Sequence, residues 1–180
     1  MRGDVNPFVA KLQSLPAPPK DRGVVELIVL RPSRGERQTP ASVMAVVNGG
    51  LEGDRWARRS ALLPRRYANR DVTAINAGVA RTLVGDKPPA LTGDNLHLDL
   101  DLSAANLPVG TRVRVGEAVL AVSPKPHMGC NKFAARFGRD AQRVNGDPAM
   151  KGRRIRGVML VVAEGGLIRT GDAVEVLREG

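Results

Sequence analysis

The chain has a single cysteine in 180 residues, Cys130, so no disulfide can close within it. A lone thiol fits a reducing cytoplasm, and no basic-then-apolar leader with a small-residue cleavage site opens the sequence. Histidine is nearly as scarce: His97 and His127 stand apart, without paired-ligand spacing, which argues against a zinc centre of Cys and His ligands. Aromatic residues make up only 3% of the chain, too few for a platform on which single-stranded bases stack, so nucleic-acid binding is disfavoured. Long apolar runs are missing too. The stretches GVVELIVL and GVMLVVA fall far short of the roughly 20 residues that cross a bilayer, and their Val and Ile content reads as buried strand.

At 42% hydrophobic content, 180 residues suffice for one domain with a core that needs no disulfide or structural metal. Basic residues are in excess, and a formal net charge of +10 creates a field that attracts nucleic acid, anionic lipid or a phosphorylated small molecule. Charge alone does not choose among them.

Residues 1–22 are rich in proline and charge and read as a flexible arm that docks locally through Phe8, Val9 and Leu12. Residues 23–180 read as one domain. VVELIVLRP predicts a strand stopped by Pro32, and ASVMAVV a second strand broken at Gly49 and Gly50. DVTAI is a short strand, followed by a helix that Asn76 caps and Gly85 ends. In LTGDNLHLDLDL, leucines at 96, 98, 100 and 102 alternate with polar residues, predicting a half-buried strand with His97 at its surface or rim. GTRVRVGEAVLAVS predicts a hairpin turning at Gly116 and Glu117, and the last segment repeats the theme. Many short strands and two helices predict a mainly β, barrel-like domain, whose exposed sheet edges offer pairing in a homodimer.

The sequence PHMGCNKFAARFG holds the cysteine. Pro124 and Pro126 end a strand and Asn131 is a fair cap, which puts Cys130 just before a helix running through KFAARFGRDAQRV. Phe133, Phe137, Ala141 and Val144 form its apolar stripe, and Lys132, Arg136, Arg139 and Arg143 a basic one. At that place amide N–H groups and Lys132 favour thiolate, the form that binds a soft metal or accepts sulfur. A buried, inert cysteine is the competing reading. The three-residue spacing to His127 leaves open whether its imidazole sits beside the sulfur as a catalytic base or out in water.

Taken in order, GLEGDRW, TGDNLHLDLDLSAANLPVGTRVRVGEAVLAVS, KPHMGCNKFAARFGRDAQRVN and RIRGVMLVVAEGGLIRTGDAVEV resemble the MOSC domain, the C-terminal module of molybdenum cofactor sulfurases that also occurs as small stand-alone proteins. The resemblance runs from about Gly23 to Val176. It implies a β-barrel-like fold and a cysteine, here Cys130, that either ligates molybdenum in a molybdopterin cofactor or carries persulfide sulfur. It also implies a reductase of N-hydroxylated compounds with Cys130 at the reaction centre; in that setting His127 would orient the guest or act as the catalytic base. Gly53, Asp54 and Arg55 match a motif near the pocket, Arg55 as a phosphate partner; Gly93, Asp94 and Asn95 match a GENL-type turn, Asn95 as a hydrogen-bonder to the pterin. Lys132 and Arg136 would counter phosphate charge. Trp56 stands where the family often has His. With no pyridoxal-phosphate desulfurase domain and no second redox domain, such a protein depends on a sulfur or electron donor protein and takes a small-molecule substrate.

Overall fold

The computed structural model describes residues 5–56, 62, 69–128 and 130–178. Ten strands carry most of the architecture: β1 (Arg22–Ile28), β2 (Ser42–Val46), β3 (Gly50–Leu51), β4 (Val72–Asn76), β5 (Leu96–Asp99), β6 (Arg112–Val115), β7 (Ala118–Val122), β8 (Val158–Glu164), β9 (Gly166–Arg169) and β10 (Ala173–Leu177). Seven close into a barrel in the order β1-β10-β6-β7-β8-β4-β5, and β3-β2-β9 form a small second sheet. Every barrel pairing is antiparallel except β4 with β5. Closure removes the open edges that a seven-stranded sheet would otherwise present. The fold is mainly β, as the strand pattern predicts.

Four short α-helices lie among the described residues: α1 (Pro7–Gln13), α2 (Ala77–Val84), α3 (Asn131–Phe137) and α4 (Arg139–Arg143). None is long and apolar enough to cross a membrane. Within the N-terminal arm, α1 buries Val9 and Leu12 against a second apolar cluster that includes Leu83, Phe133, Val144 and Ile155. The first cluster fills the barrel, with Val25, Ile28, Leu98, Leu120 and Leu160 among its members. Asn76 caps α2 by accepting from the Val79 amide at 3.0 Å, and Gly85 ends it at φ 61°. Val115 pairs with Ala118 across a two-residue turn of Gly116 and Glu117, the predicted hairpin.

Two expectations change. The helix after the cysteine breaks at Gly138, whose φ of 89° suits glycine, although its apolar stripe still buries Phe133, Ala141 and Val144 across the break. His97 is buried at 1% exposure rather than on the rim, because β5 faces the barrel on one side and is covered by α2 on the other. Burial pushes the His97 imidazole below its ordinary pKa, only partly offset by the Asp94 and Glu26 charges, so it is neutral at pH 7.

Asp71, just before β4, is buried and accepts from the Val162 amide at 3.0 Å. Desolvation raises its pKa against that one hydrogen bond. A raised carboxyl stabilises the fold when protonated and weakens it as pH climbs through the folded value. Asp71→Asn keeps an acceptor oxygen for Val162 and removes the buried charge, so the variant is expected to gain about 1 kcal/mol at pH 7 and nothing in acid, read by urea unfolding at the two pH values.

Candidate functional site

The strand registers gather one rim of the barrel around Ala74. Leu96 of β5 pairs with both Ala74 and Ile28, and Val158 of β8 pairs with Ala74, so the end of β1 and the starts of β5 and β8 are neighbours. Residues just beyond those ends, Arg31, Gly93 to Asn95 and Arg156, therefore converge although 125 positions separate the first from the last.

Arg31 and Asp54 form a buried fork. Arg31 Nε donates to Asp54 Oδ2 at 2.9 Å and Nη2 to Oδ1 at 3.0 Å, with side-chain exposures of 7% and 2%. The remaining Arg31 donors reach Gly93 O at 3.1 Å and Asn95 Oδ1 at 3.0 Å. Asn95 is saturated as well: its Oδ1 also accepts from the Thr73 amide and hydroxyl, and its Nδ2 donates to Val29 O and Asp54 Oδ2. Burial on its own would raise Asp54; the hydrogen bond and charge of Arg31, with the amides of Trp56 and Arg31, outweigh it and hold the carboxyl below its ordinary range. The Trp56 ring lies against the Arg31 guanidinium, 4.8 Å from its centroid.

A second network lies beside the first. Asp94, 1% exposed, receives His127 Nε2 at 2.6 Å on Oδ1 and Arg156 Nη1 at 3.3 Å on Oδ2. Desolvation raises the Asp94 pKa, but Arg156 and His127 overcome it and the net shift is strongly downward. Because Asp94 is ionised at pH 7, the His127 Nε2 carries the proton of this contact and, in the neutral ring, Nδ1 holds the lone pair. Nδ1 is buried and has no hydrogen-bond partner among the described residues. The Arg156 guanidinium stacks 3.9 Å over the Phe133 ring of α3, tying the cysteine-bearing helix to the start of β8.

These networks back a cavity of about 680 Å³, lined, among the described residues, by seven basic side chains and one carboxylate, Asp94. Cys130 is on its wall and exposed, with β-region backbone angles at the N-cap of α3; Asn131 is the first helical residue rather than the cap. Arg34 and Arg37 line it from the loop after β1, Lys132 and Arg136 from α3. Desolvation lowers the Arg37 pKa, and the like charges of Arg136, Arg31 and Arg55 lower it further. Arginines crowded closely enough to repel one another mark a place that favours an anion. Among the described residues, no group of three or more His, Cys, Asp or Glu side chains is placed to hold a metal ion.

Of the residues singled out in the sequence, Cys130, His127, Arg55, Gly93, Lys132 and Arg136 line this one cavity together with Trp56. Asp54 and Asn95 do not: every polar side-chain atom of both is engaged behind the wall, so direct contact with a guest gives way to support of Arg31. Gly53 is outside the lining, in a turn at φ 84° beside Leu30. Arg31, Arg37 and Arg156 escaped the sequence reading. Only the RIRGV motif pointed at Arg156, and nothing local distinguishes Arg31 or Arg37 from other surface arginines.

A closed, mainly β barrel with a cysteine on the wall of a cationic cavity is the class of protein defined here. The family model described as "MOSC domain" matches residues 65–175, and the chain belongs to the MOSC domain family. No curated protein matches the sequence. Among solved structures, the YuaD protein of Bacillus subtilis is similar with a TM-score of 0.60 at 17% identity, covering 88% of this chain and 97% of that one. YiiM of Escherichia coli is similar with a TM-score of 0.58 at 19% identity, covering 88% of this chain and 71% of that one. YiiM of Geobacillus stearothermophilus has a TM-score of 0.53 at 17% identity, covering 92% and 77%. At such identities the likeness concerns the fold.

Proposed function

We propose that the cavity binds a phosphorylated molybdenum–pterin cofactor, with Cys130 as the protein ligand of the metal, and that the chain is an oxidoreductase removing oxygen from N-hydroxylated or N-oxygenated small molecules. The observation that carries this reading is an exposed thiol on the wall of a cavity whose lining, among the described residues, has seven basic side chains against one carboxylate. The donor set fits the group: a soft thiolate suits molybdenum, and guanidinium and ammonium groups suit phosphate oxygens. Arg37 has a buried Nε without a hydrogen-bond partner among the described residues, as expected of a side chain that meets its partner in a guest.

When bound, the cofactor supplies a metal centre that exchanges two electrons with substrate. Arg37, Arg55, Lys132 and Arg136 hold phosphate. Arg31, fixed by Asp54 and Asn95, forms a rigid part of the wall with Trp56. His127 keeps a proton at Nε2 against Asp94, which orients the imidazole at the edge of the cavity. Electrons come from a donor protein.

Metal analysis of protein made in cofactor-competent cells tests the reading. The parent chain is expected to retain molybdenum and pterin, and Cys130→Ser to lose the metal by at least tenfold while keeping its melting temperature. Equal molybdenum in both would remove Cys130 as ligand.

A second reading rests on the exposure of the same thiol. A sulfur atom open to solvent is reachable by another protein, which suits a carrier holding a persulfide for transfer. A mass gain of one sulfur atom on Cys130 in metal-free protein supports that reading and counts against the first.

A further inference from the structure

We infer that a second pocket, divided from the Cys130 cavity by a shared wall of His127, Met128 and Met159, binds a small organic acid whose carboxylate sits on Arg154. The inference goes beyond the cofactor reading and does not depend on it. The pocket measures about 310 Å³. Besides His127, its charged or titratable side chains are Lys125 and Arg154, and among the described residues no carboxylate lines it.

Arg154 has one edge spent and one edge free. Its Nη1 donates to Leu107 O at 2.7 Å and to Leu102 O at 3.4 Å, whereas Nε and Nη2 have no hydrogen-bond partner among the described residues. The N–H bonds of Nε and Nη2 lie parallel on that free edge, the spacing that receives both oxygens of a carboxylate. Arg31 and Arg156 meet an acid inside the fold, Asp54 and Asp94. Arg154 is half-buried too, yet neither it nor Lys125 has an ion pair among the described residues. Desolvation lowers its pKa with no acidic neighbour working against it.

The backbone at Arg154 is strained. Its φ of 50° lies in the left-handed region, and its carbonyl closes a turn by accepting from the Gly157 amide at 2.7 Å. Glycine or asparagine would make that turn more easily. The strain holds in place an arginine whose hydrogen-bonding capacity the fold uses only in part.

Most of the remaining lining is apolar, with Val122, Pro126 and the thioethers of Met128, Met150 and Met159. Such side chains adapt to a flat or branched hydrocarbon body. The volume is at the low end for small-molecule sites, which suits a carboxylate carried on a single ring.

Methionine-methyl NMR of the purified full chain reads this pocket side chain by side chain. Of the five methionines, Met150 lines this pocket and not the Cys130 cavity, Met128 and Met159 line both, and Met44 on β2 is the reference. The probes are benzoate, benzamide and benzamidinium, one ring with a negative, a neutral and a positive head. Benzoate is expected to shift Met128, Met150 and Met159 along one saturable curve with Met44 fixed, and to bind about tenfold more tightly than benzamide, with benzamidinium weaker still. Arg154→Lys keeps the charge and loses the fork, so benzoate affinity should drop about fivefold, with circular dichroism checking the fold because Leu102 and Leu107 lose a donor. Lys125→Ala, at an exposed position, should weaken benzoate about twofold. Shifts at Met128 and Met159 without Met150 would put benzoate in the Cys130 cavity and overturn the inference. Equal affinity for benzoate and benzamide, or full benzoate affinity in folded Arg154→Lys, would overturn it as well.

Discussion

Asp54→Asn is expected to lower stability by about 3 to 5 kcal/mol, the range for stripping one partner from a buried ion pair. The guanidinium of Arg31 is 7% exposed and donates to both Asp54 oxygens, so neutralising the acid leaves a positive charge in the interior with no counter-ion. An amide in that place cannot repeat the contacts. Its one oxygen replaces two, and its NH₂ faces an Arg31 or Asn95 donor wherever it is turned. Asn95 then loses the acceptor for one of its Nδ2 hydrogens, and the disturbance passes to Thr73 through Asn95 Oδ1. Urea unfolding at pH 7 gives the loss directly, and a paired variant supplies the control. Replacing Arg31 with Met and Asp54 with Leu together removes both charges, and is expected to recover more than half of the deficit, because the charge left unpaired is what costs most. A deficit under about 1 kcal/mol in the single variant would mean that the pair is solvated. Phosphate affinity should fall in the single variant too, since Arg31 and the Trp56 against it form one part of the cavity wall.

The barrel was largely legible in the sequence because its signals are local. Asn76 and Gly85 bracket α2 by capping chemistry, Gly116 and Glu117 turn a hairpin between alternating runs, and strand periodicity locates β4 to β8 within a few residues. The site was legible only in part. Cys130 and Lys132 stand close in sequence and on one wall, which a helix start explains. The rest depends on closure. Arg31 meets Asp54 across 23 positions and Asn95 across 64, and such pairings exist only after the strand registers are set. The resemblance put Asp54 and Asn95 against a guest because their motifs match family stretches near the pocket; the fold turns both side chains inward and gives the outward place to arginines. His97 was misplaced for a related reason: alternation of leucine with polar residues normally marks a half-exposed strand, but α2 covers the second face of β5.

Asp94→Asn is expected to cost about 3 kcal/mol at neutral pH, with a pH dependence that identifies the cause. Asp94 is 1% exposed, is the counter-ion of Arg156, itself 4% exposed, and accepts a hydrogen bond from His127 Nε2. A carboxylate whose folded pKa lies below its unfolded value adds stability above the unfolded value, near 4, and gives it up as pH falls through the folded one. Asp54 is shifted the same way, so the parent chain should lose stability progressively in acid. In Asp94→Asn only the Asp54 share of that loss remains. The difference between parent and variant, measured by urea midpoints from pH 7 downward, should be constant above about pH 5 and shrink below pH 4, as the protonated acid comes to resemble the amide. A difference independent of pH would show that Asp94 is not held as a carboxylate. The neutral-pH deficit also separates support from chemistry: an amide oxygen still accepts from His127 Nε2, so the imidazole keeps its orientation, while Arg156 loses its charge partner above Phe133 and the start of α3 loosens. Retention of guest is therefore expected to fall together with stability in Asp94→Asn, whereas His127→Gln, which leaves the Arg156 pair intact, should lower stability by less than half as much.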